Sequence, residues 1–173
     1  MNNIQHIDKK QIVVVSLDES RYSLYLSVVE RVVRAVEITP LPKAPEFVLG
    51  VINVHGQIIP VVDIRKRLNL PQHNVTVDDQ FILAHTSKRL IVLVVDSVIG
   101  IYELAEQEFV TTEQFLPGAE YIHGVAKFEG NLVLIYDLNQ FLSLDNEQKL
   151  EVALVENKMK TAHKSHWKRE NTV

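Results

Sequence analysis

Residues 46–68 read EFVLGVINVHGQIIPVVDIRKRL and residues 120–142 read EYIHGVAKFEGNLVLIYDLNQFL. The two strings align without a gap at an offset of 74. Six positions are identical: Glu46/Glu120, Gly50/Gly124, Val51/Val125, Gly56/Gly130, Asp63/Asp137 and Leu68/Leu142. Seven more are similar, so 13 of 23 positions correspond, too many for two unrelated amphipathic strands. A weaker match links QIVVVSLDESRYSLYL (11–26) to QFILAHTSKRLIVLVV (80–95) at an offset of 69. Each of these reads as a strand, a polar turn and a second strand. The chain is therefore two copies of one unit, about 11–70 and 80–143, joined by the polar, turn-rich PQHNVTVDD at 71–79.

The signals inside each copy are those of β-structure. Val13 to Val15 and Ile91 to Val95 are continuous runs dominated by β-branched residues, suited to strands buried on both faces. Tyr22, Leu24, Leu26 and Val28 alternate with Ser23, Tyr25 and Ser27, the period of a half-buried strand. Gly56 and Gly130 each stand between two apolar runs, where a glycine supplies the positive φ of a tight hairpin. Asp63 and Asp137 each end a strand and can cap the helical turn that follows. Pro60 inside a strand pattern predicts an edge or a bulge. Short strands with regular turns point to small barrels, so the fold is expected to be mainly β. Residues 146–173 read as a C-terminal helix and basic tail, with Val152, Val155, Met159 and Ala162 as a stripe that packs on the barrels, the alternative being that it fills a partner's groove.

The repeat separates two kinds of residue. Features present in both copies, namely Gly50, Gly56, Asp63, Gly124, Gly130 and Asp137, are explained by the fold that the copies share. Candidates for function are positions where the copies differ, such as Asn53 and His55 against Lys127 and Glu129.

Composition excludes several function classes. There is no cysteine, hence no disulfide and no thiolate metal site. The N-terminal MNNIQHIDKK lacks an apolar segment, and residues 1–10 are expected to be a flexible tail. The apolar stretch Leu90 to Tyr102 is too short to span a bilayer and carries Asp96, so a soluble, cytoplasmic protein is expected. Residues 1–156 hold 13 Lys/Arg against 21 Asp/Glu, a net of −8, whereas residues 157–173 carry +4. An acidic body without a basic, aromatic face argues against nucleic acid, and with it against a small-barrel RNA-binding protein. No GxxxxGK[ST], GxSxG, HExxH or EF-hand string occurs, and the seven histidines are scattered. His163 and His166 share an expected helix face, but two ligands do not make a metal site. No catalytic residue, metal or cofactor is expected, and the reading is a binding module rather than an enzyme.

Residues 48–70, VLGVINVHGQIIPVVDIRKRLNL, are similar to the string G-V-I-N-x-x-G-x-x-x-P-V-x-D-[IL] of the CheW-like coupling proteins of bacterial chemosensory systems. The resemblance runs over about residues 10–145. It implies two five-stranded SH3-like β-barrel lobes around a shared hydrophobic seam, then a C-terminal helix, and it leaves open whether strands swap between lobes. It implies a non-catalytic scaffold adaptor joining the cytoplasmic tip of methyl-accepting chemoreceptors to the regulatory domain of a CheA-type histidine kinase. The implied setting is a cytoplasmic receptor array, with self-association within it and no insertion into the membrane. A chemosensory-like pathway controlling pili, biofilm or development is the alternative output.

Two departures from the family pattern fall where the resemblance implies partner contact, at Asn53, Val54 and His55 and at Glu30 and Arg31. The usual N-[LV]-R-G is Asn53-Val54-His55-Gly56 here, and the usual V-x-E-[IVL] is Val29-Glu30-Arg31-Val32. An imidazole, with an ordinary pKa of about 6.5, replaces a permanently charged fork, and Arg31 reverses a charge. Partner choice by charge complementarity is expected to differ accordingly.

Overall fold

The computed structural model describes residues 10–111, 121–142 and 144–170, the side chains of 111, 144–145 and 163–170 excepted. The expected tail at 1–10 lies outside the described residues apart from Lys10, as do the side chains of His163, His166 and Trp167. In chain order come β1 (Lys10–Leu17), β2 (Ser20–Tyr25), β3 (Val29–Arg34), β4 (Val48–Val54), β5 (Gln57–Val62) and the short helix α1 (Ile64–Arg67). Then follow β6 (Gln80–His85), β7 (Leu90–Val95), β8 (Ser97–Leu104), β9 (Phe109–Thr111), β10 (Ile122–Phe128), β11 (Asn131–Tyr136), α2 (Leu138–Phe141) and the long α3 (Leu144–Glu170).

These strands make two sheets, and neither sheet is one copy of the repeat. One has the order β8-β1-β2-β11-β10-β9 and the other β3-β6-β7-β5-β4. Each therefore joins the first two strands of one copy to later strands of the other: β1 and β2 sit with β8 to β11, and β6 and β7 with β3 to β5. The units 11–70 and 80–143 are repeats in sequence but not lobes in space: the copies exchange strands reciprocally. The six-stranded sheet gains β9, which pairs Val110 with Val125. In the five-stranded sheet the matching contact is the single bridge between Thr39 and Val51, the repeat equivalent of Val125. The bulges match too. Glu30 is the extra residue between Val29 and Arg31 opposite Ala84 and Leu83. Ile99 is the extra residue between Val98 and Gly100 opposite Val15 and Val14.

The burial of the apolar runs follows from this exchange. Along β1, Val13, Val15 and Leu17 point into a central core between the sheets, and Ile12 and Val14 into the core of the six-stranded sheet. Along β7, Ile91, Leu93 and Val95 join the central core, and Val92 and Val94 that of the five-stranded sheet. Both strands are buried on both faces because each lies inside its sheet and also faces the seam. The seam is further tied by Arg67, whose guanidinium lies 4.8 Å from the ring centroids of both Phe47 and Tyr121, a repeat-related pair.

Three sequence expectations need correction. The alternation through Tyr22 to Val28 is not one strand, because β2 ends at Tyr25 and a 3-10 turn carries Leu26–Val28 across to β3 in the other sheet. Ser23 is fully buried in it, its hydroxyl donating to the Leu134 carbonyl at 3.0 Å. Pro60 lies in an inner strand, at neither an edge nor a bulge. It sits opposite Val51, whose N–H and C=O both bond Thr39, so no proton is required of Pro60 on that side. On the other side, pairing with β7 begins only at Val61. On α3, Val152, Val155 and Met159 are 56%, 45% and 68% exposed. The helix is seated instead by Leu150, Ala153 and Leu154. The helix has two apolar stripes on opposite faces, and the one with the leucines wins the core.

Candidate protein-interaction site

The β4–β5 hairpin turns through Val54-His55-Gly56-Gln57, with φ of 50° at His55 and 86° at Gly56. Two consecutive positive φ values match the right-handed twist of the strands, and histidine is among the residues that tolerate the first of them. Asn53 Oδ1 accepts the Gly56 N–H at 2.8 Å, so this side chain is spent on the turn. His55 is exposed and makes no hydrogen bond or ion pair among the described residues, while Val54 is half-buried against the core of its own sheet. The β10–β11 hairpin repeats the turn, with Glu129 at 47° and Gly130 at 78°.

Glu30 and Arg31 lie at the bulge of edge strand β3. Glu30 contacts His85 Nε2 at 2.8 Å and Arg31 Nε at 3.9 Å, and both ends of the Glu30–Arg31 pair are about two-fifths exposed. His85 was not singled out by sequence reasoning. Its signal was its place at the end of β6, beside a hairpin turn. Val32, 39% exposed, and Ile58, 37% exposed, add apolar surface next to the two segments.

Register sets these segments in different rows of the five-stranded sheet, because Arg31 pairs with Leu83, Leu83 with Val92 and Val92 with Val61, four residues from Gln57 at the hairpin tip. Val29 pairs with Ala84, and His85 pairs with Leu90 across the β6–β7 turn. Val61 pairs in parallel with Val92, so Gln57 at the hairpin tip is level with Lys88 in that turn. The two segments stand on opposite edges, four inter-strand spacings apart, on the order of 20 Å measured along the sheet.

The shared features do structural work. A Cβ on Gly50 would overlap the Thr39 carbonyl at the single bridge, and one on Gly124 would overlap the ring of Phe109 on β9. Asp63 accepts from Arg65 N and Asp137 from Asn139 N, each at 2.9 Å, capping α1 and α2. Within α1, Arg65 is 2% exposed and pairs with Asp96, with Asp18 Oδ1 at 3.6 Å. Burial alone would lower its pKa, but the hydrogen bond and charge of Asp96, then those of Asp18, raise it. In the β6–β7 turn, Arg89 clamps α3 through Glu147 at 2.6 Å and through Glu151. Its hydrogen bond and charge hold Glu151 below the ordinary carboxylate range.

Among the described residues one trio of metal-ligand types comes together, His73, Asp79 and Asp96, with donor atoms within 4.8 Å. Its oxygens already serve the protein. Asp79 Oδ2 accepts from Thr76 N at 2.6 Å, and Asp96 pairs with Arg65 and accepts from Asp18 N at 2.6 Å. No helix among the described residues is long and apolar enough to cross a membrane.

A family model described as "CheW-like domain" matches residues 11–146. Chemotaxis protein CheW of Treponema pallidum (strain Nichols) is 25% identical over 81% of this chain and 86% of its own length. Chemotaxis protein CheW of Thermotoga maritima is 29% identical over 76% and 87%. Protein FrzA of Myxococcus xanthus is 28% identical over 70% and 77%. The crystal structure of the scaffolding protein TtCheW from Thermoanaerobacter tengcongensis superposes with a TM-score of 0.73 at 30% identity, covering 80% of this chain and 95% of that one. Mainly β, built of two strand-exchanged sheets and matched over residues 11–146, the chain belongs to the CheW-like domain family, whose members are scaffold adaptors of chemotaxis.

Proposed function

We propose that this protein is a non-catalytic adaptor that couples the cytoplasmic tip of methyl-accepting chemoreceptors to the regulatory domain of a CheA-type histidine kinase. The observation that carries this reading is a pair of exposed segments on the five-stranded sheet. The β4–β5 hairpin tip carries an exposed His55 and the bulge of β3 an exposed Glu30 and Arg31, and neither His55 nor Arg31 is consumed by the fold. The site recognises without turnover. Asn53 and Val54 hold the tip in shape, His55 and Arg31 read the partner's charge, and Val32 and Ile58 supply apolar area. A single micromolar contact amounts to about −8 kcal/mol, and repeated contacts in a cytoplasmic array, self-association included, multiply its effect.

The test is titration calorimetry of the purified chain against the CheW-like regulatory domain of each histidine kinase in its organism, and against receptor-tip fragments. Saturable one-to-one binding is expected for one kinase domain. The variants His55→Arg and Arg31→Glu should shift preference among receptor tips. A folded protein that binds no kinase domain and no receptor tip would overturn the reading. A chemosensory-like pathway with another output, such as pili, biofilm or development, stays as the second reading, since the matched relatives are not all named for chemotaxis. The identity of the kinase that binds decides between the two.

A further inference from the structure

The reciprocal exchange of strands makes α1 and α2 equivalent, and each carries a residue that reaches toward the first hairpin turn of the opposite sheet. On α1 this is Arg65, two residues after its cap Asp63. Its guanidinium fills the space between Asp96 and Asp18 in the β1–β2 turn. On α2 the equivalent, two residues after Asp137, is Asn139. Its Oδ1 accepts the Ser87 N–H at 2.6 Å in the β6–β7 turn. Ser87 is the repeat counterpart of Asp18, and Leu142 that of Leu68.

The shorter side chain leaves space. Beside α2 lies a cavity of about 190 Å³ lined by Thr86, Ser87, Lys88, Asn139, Leu142 and Glu147. It exceeds the roughly 150 Å³ that admits a benzene ring. Glu147 is buried in its wall. One carboxylate oxygen accepts from Arg89 Nε at 2.6 Å, while Oε2 is buried with no hydrogen-bond donor among the described residues. A buried carboxylate oxygen without a donor is unfavourable, and a donor brought from outside removes the defect.

We propose that this cavity is a receptor for a guanidinium group, an arginine side chain presented by a partner protein. The chain itself supplies the precedent, because the residue equivalent to Asn139 is Arg65, whose guanidinium lies against the carboxylates of Asp96 and Asp18. A planar fork of five N–H donors can meet Glu147 Oε2, the Ser87 hydroxyl and the free lone pair of Asn139 Oδ1 together. An ammonium offers a point charge that cannot span them, and Lys88, already on the wall, leaves Oε2 without a donor. This site uses different side chains from the His55 and Arg31 surface, and it stands whichever kinase or receptor that surface binds.

The experiment is a titration of the full, isotope-labelled chain with N-acetyl-arginine amide, followed by amide chemical shifts. The citrulline amide, a neutral isostere, and the lysine amide serve as comparisons. Expected are saturable shifts at Ser87, Lys88 and Asn139 with the arginine probe, and binding at least tenfold weaker with citrulline and lysine. Asn139→Arg, which would supply a guanidinium from within as Arg65 does, should abolish binding while leaving the strand signals in place. Glu147→Gln should weaken binding at least tenfold. Absence of saturable shifts, an equal response to citrulline, or full binding by a folded Asn139→Arg variant would overturn the proposal. Should a variant fail to fold, the arginine-to-citrulline comparison on the unaltered chain decides.

Discussion

The two sheets share one backbone plan and differ in what stands at their matching positions. The five-stranded sheet carries His55 at the hairpin tip, Lys88 in the β6–β7 turn and Arg31 at the bulge. At the equivalent positions the six-stranded sheet carries Glu129, Glu19 and Gly100. One set leans basic and the other acidic. The acidic tip is also tied, because Arg21 Nη1 holds Glu129 Oε2 at 2.7 Å and its guanidinium carbon lies 5.5 Å from the centroid of Phe128. The free tip and the tied tip have the same turn geometry, so the turn does not decide which of them recognises a partner. What differs is which side chains are left available once the fold has used the rest.

The largest expected effect probes the shared plan. Gly50 approaches the backbone carbonyl of Thr39, a residue whose C=O and N–H are each hydrogen-bonded to Val51, whereas Gly124 approaches the end of the Phe109 ring. Backbone yields less than a ring. Gly50→Ala should therefore destabilise by about 4 kcal/mol, and Gly124→Ala by only about 2. Urea unfolding measures both, and equal losses would show that the two crossings are equally rigid. Next comes the seam. Arg65→Met leaves Asp96 without its cation, and since Asp96 and Asp18 are partly wet the loss should be near the low end for a broken buried pair, about 3 kcal/mol. Asn139→Ala removes one hydrogen bond to a backbone N–H and should cost about 1 kcal/mol. A loss from Arg65→Met no larger than that would mean that the guanidinium is replaceable by packing alone.

Much of this was legible in the sequence. The offsets of 74 and 69 marked equivalent strands, and the doubly apolar runs at Val13–Val15 and Ile91–Val95 marked strands with two buried faces. Strand exchange was not legible, because a repeat specifies which strands are alike and not which copy each one pairs with. Both arrangements bury the same residues, and the crossing at Leu26–Val28 looks locally like more strand. The face of α3 was misread for a similar reason. Val152, Val155 and Met159 have the same spacing as a core stripe, and only the position of the seam shows that Leu150 and Leu154 take that place. At the candidate site, His55 and Arg31 stood out by departing from a family pattern. The Glu30–His85 contact joins residues 55 apart and needed the register of β3 on β6.

A pH effect separates the two sheets. Tyr136 ends β11, and its repeat equivalent in β5 is Val62, which cannot ionise. Burial, and then Tyr22 nearby, push the Tyr136 hydroxyl up to about 12. In the unfolded chain a tyrosine ionises near about 10. Below that pH both states keep the proton and stability is full. Between about 10 and 12 the unfolded chain releases it and the folded one does not. Stability is then lost progressively, by roughly 2.5 kcal/mol at the upper limit. Tyr136→Phe should flatten the curve in this window, leaving the smaller slope of Tyr25, which burial and then Asp137 also raise. A slope unchanged by Tyr136→Phe would assign the alkaline loss elsewhere.

The smallest effect on stability is expected where the comparison began, at the two hairpin tips. The Arg21–Glu129 pair is exposed at both ends, 40% and 61%, so Glu129→His should change stability by no more than about 0.5 kcal/mol. His55→Glu should be as mild, because His55 makes no hydrogen bond or ion pair among the described residues and both residues already occur at this φ in the same turn, one in each copy. The exchange therefore separates shape from chemistry. With stability held constant, His55→Glu should reduce binding to the partner of the five-stranded sheet, and Glu129→His should not create a second site, since Lys127 stands there in place of Asn53. Denaturant midpoints and calorimetric titration of the two variants side by side give both readouts. A large fall in stability for His55→Glu alone would make the histidine a turn residue rather than a contact, and partner choice would then rest on Arg31 and the β3 edge.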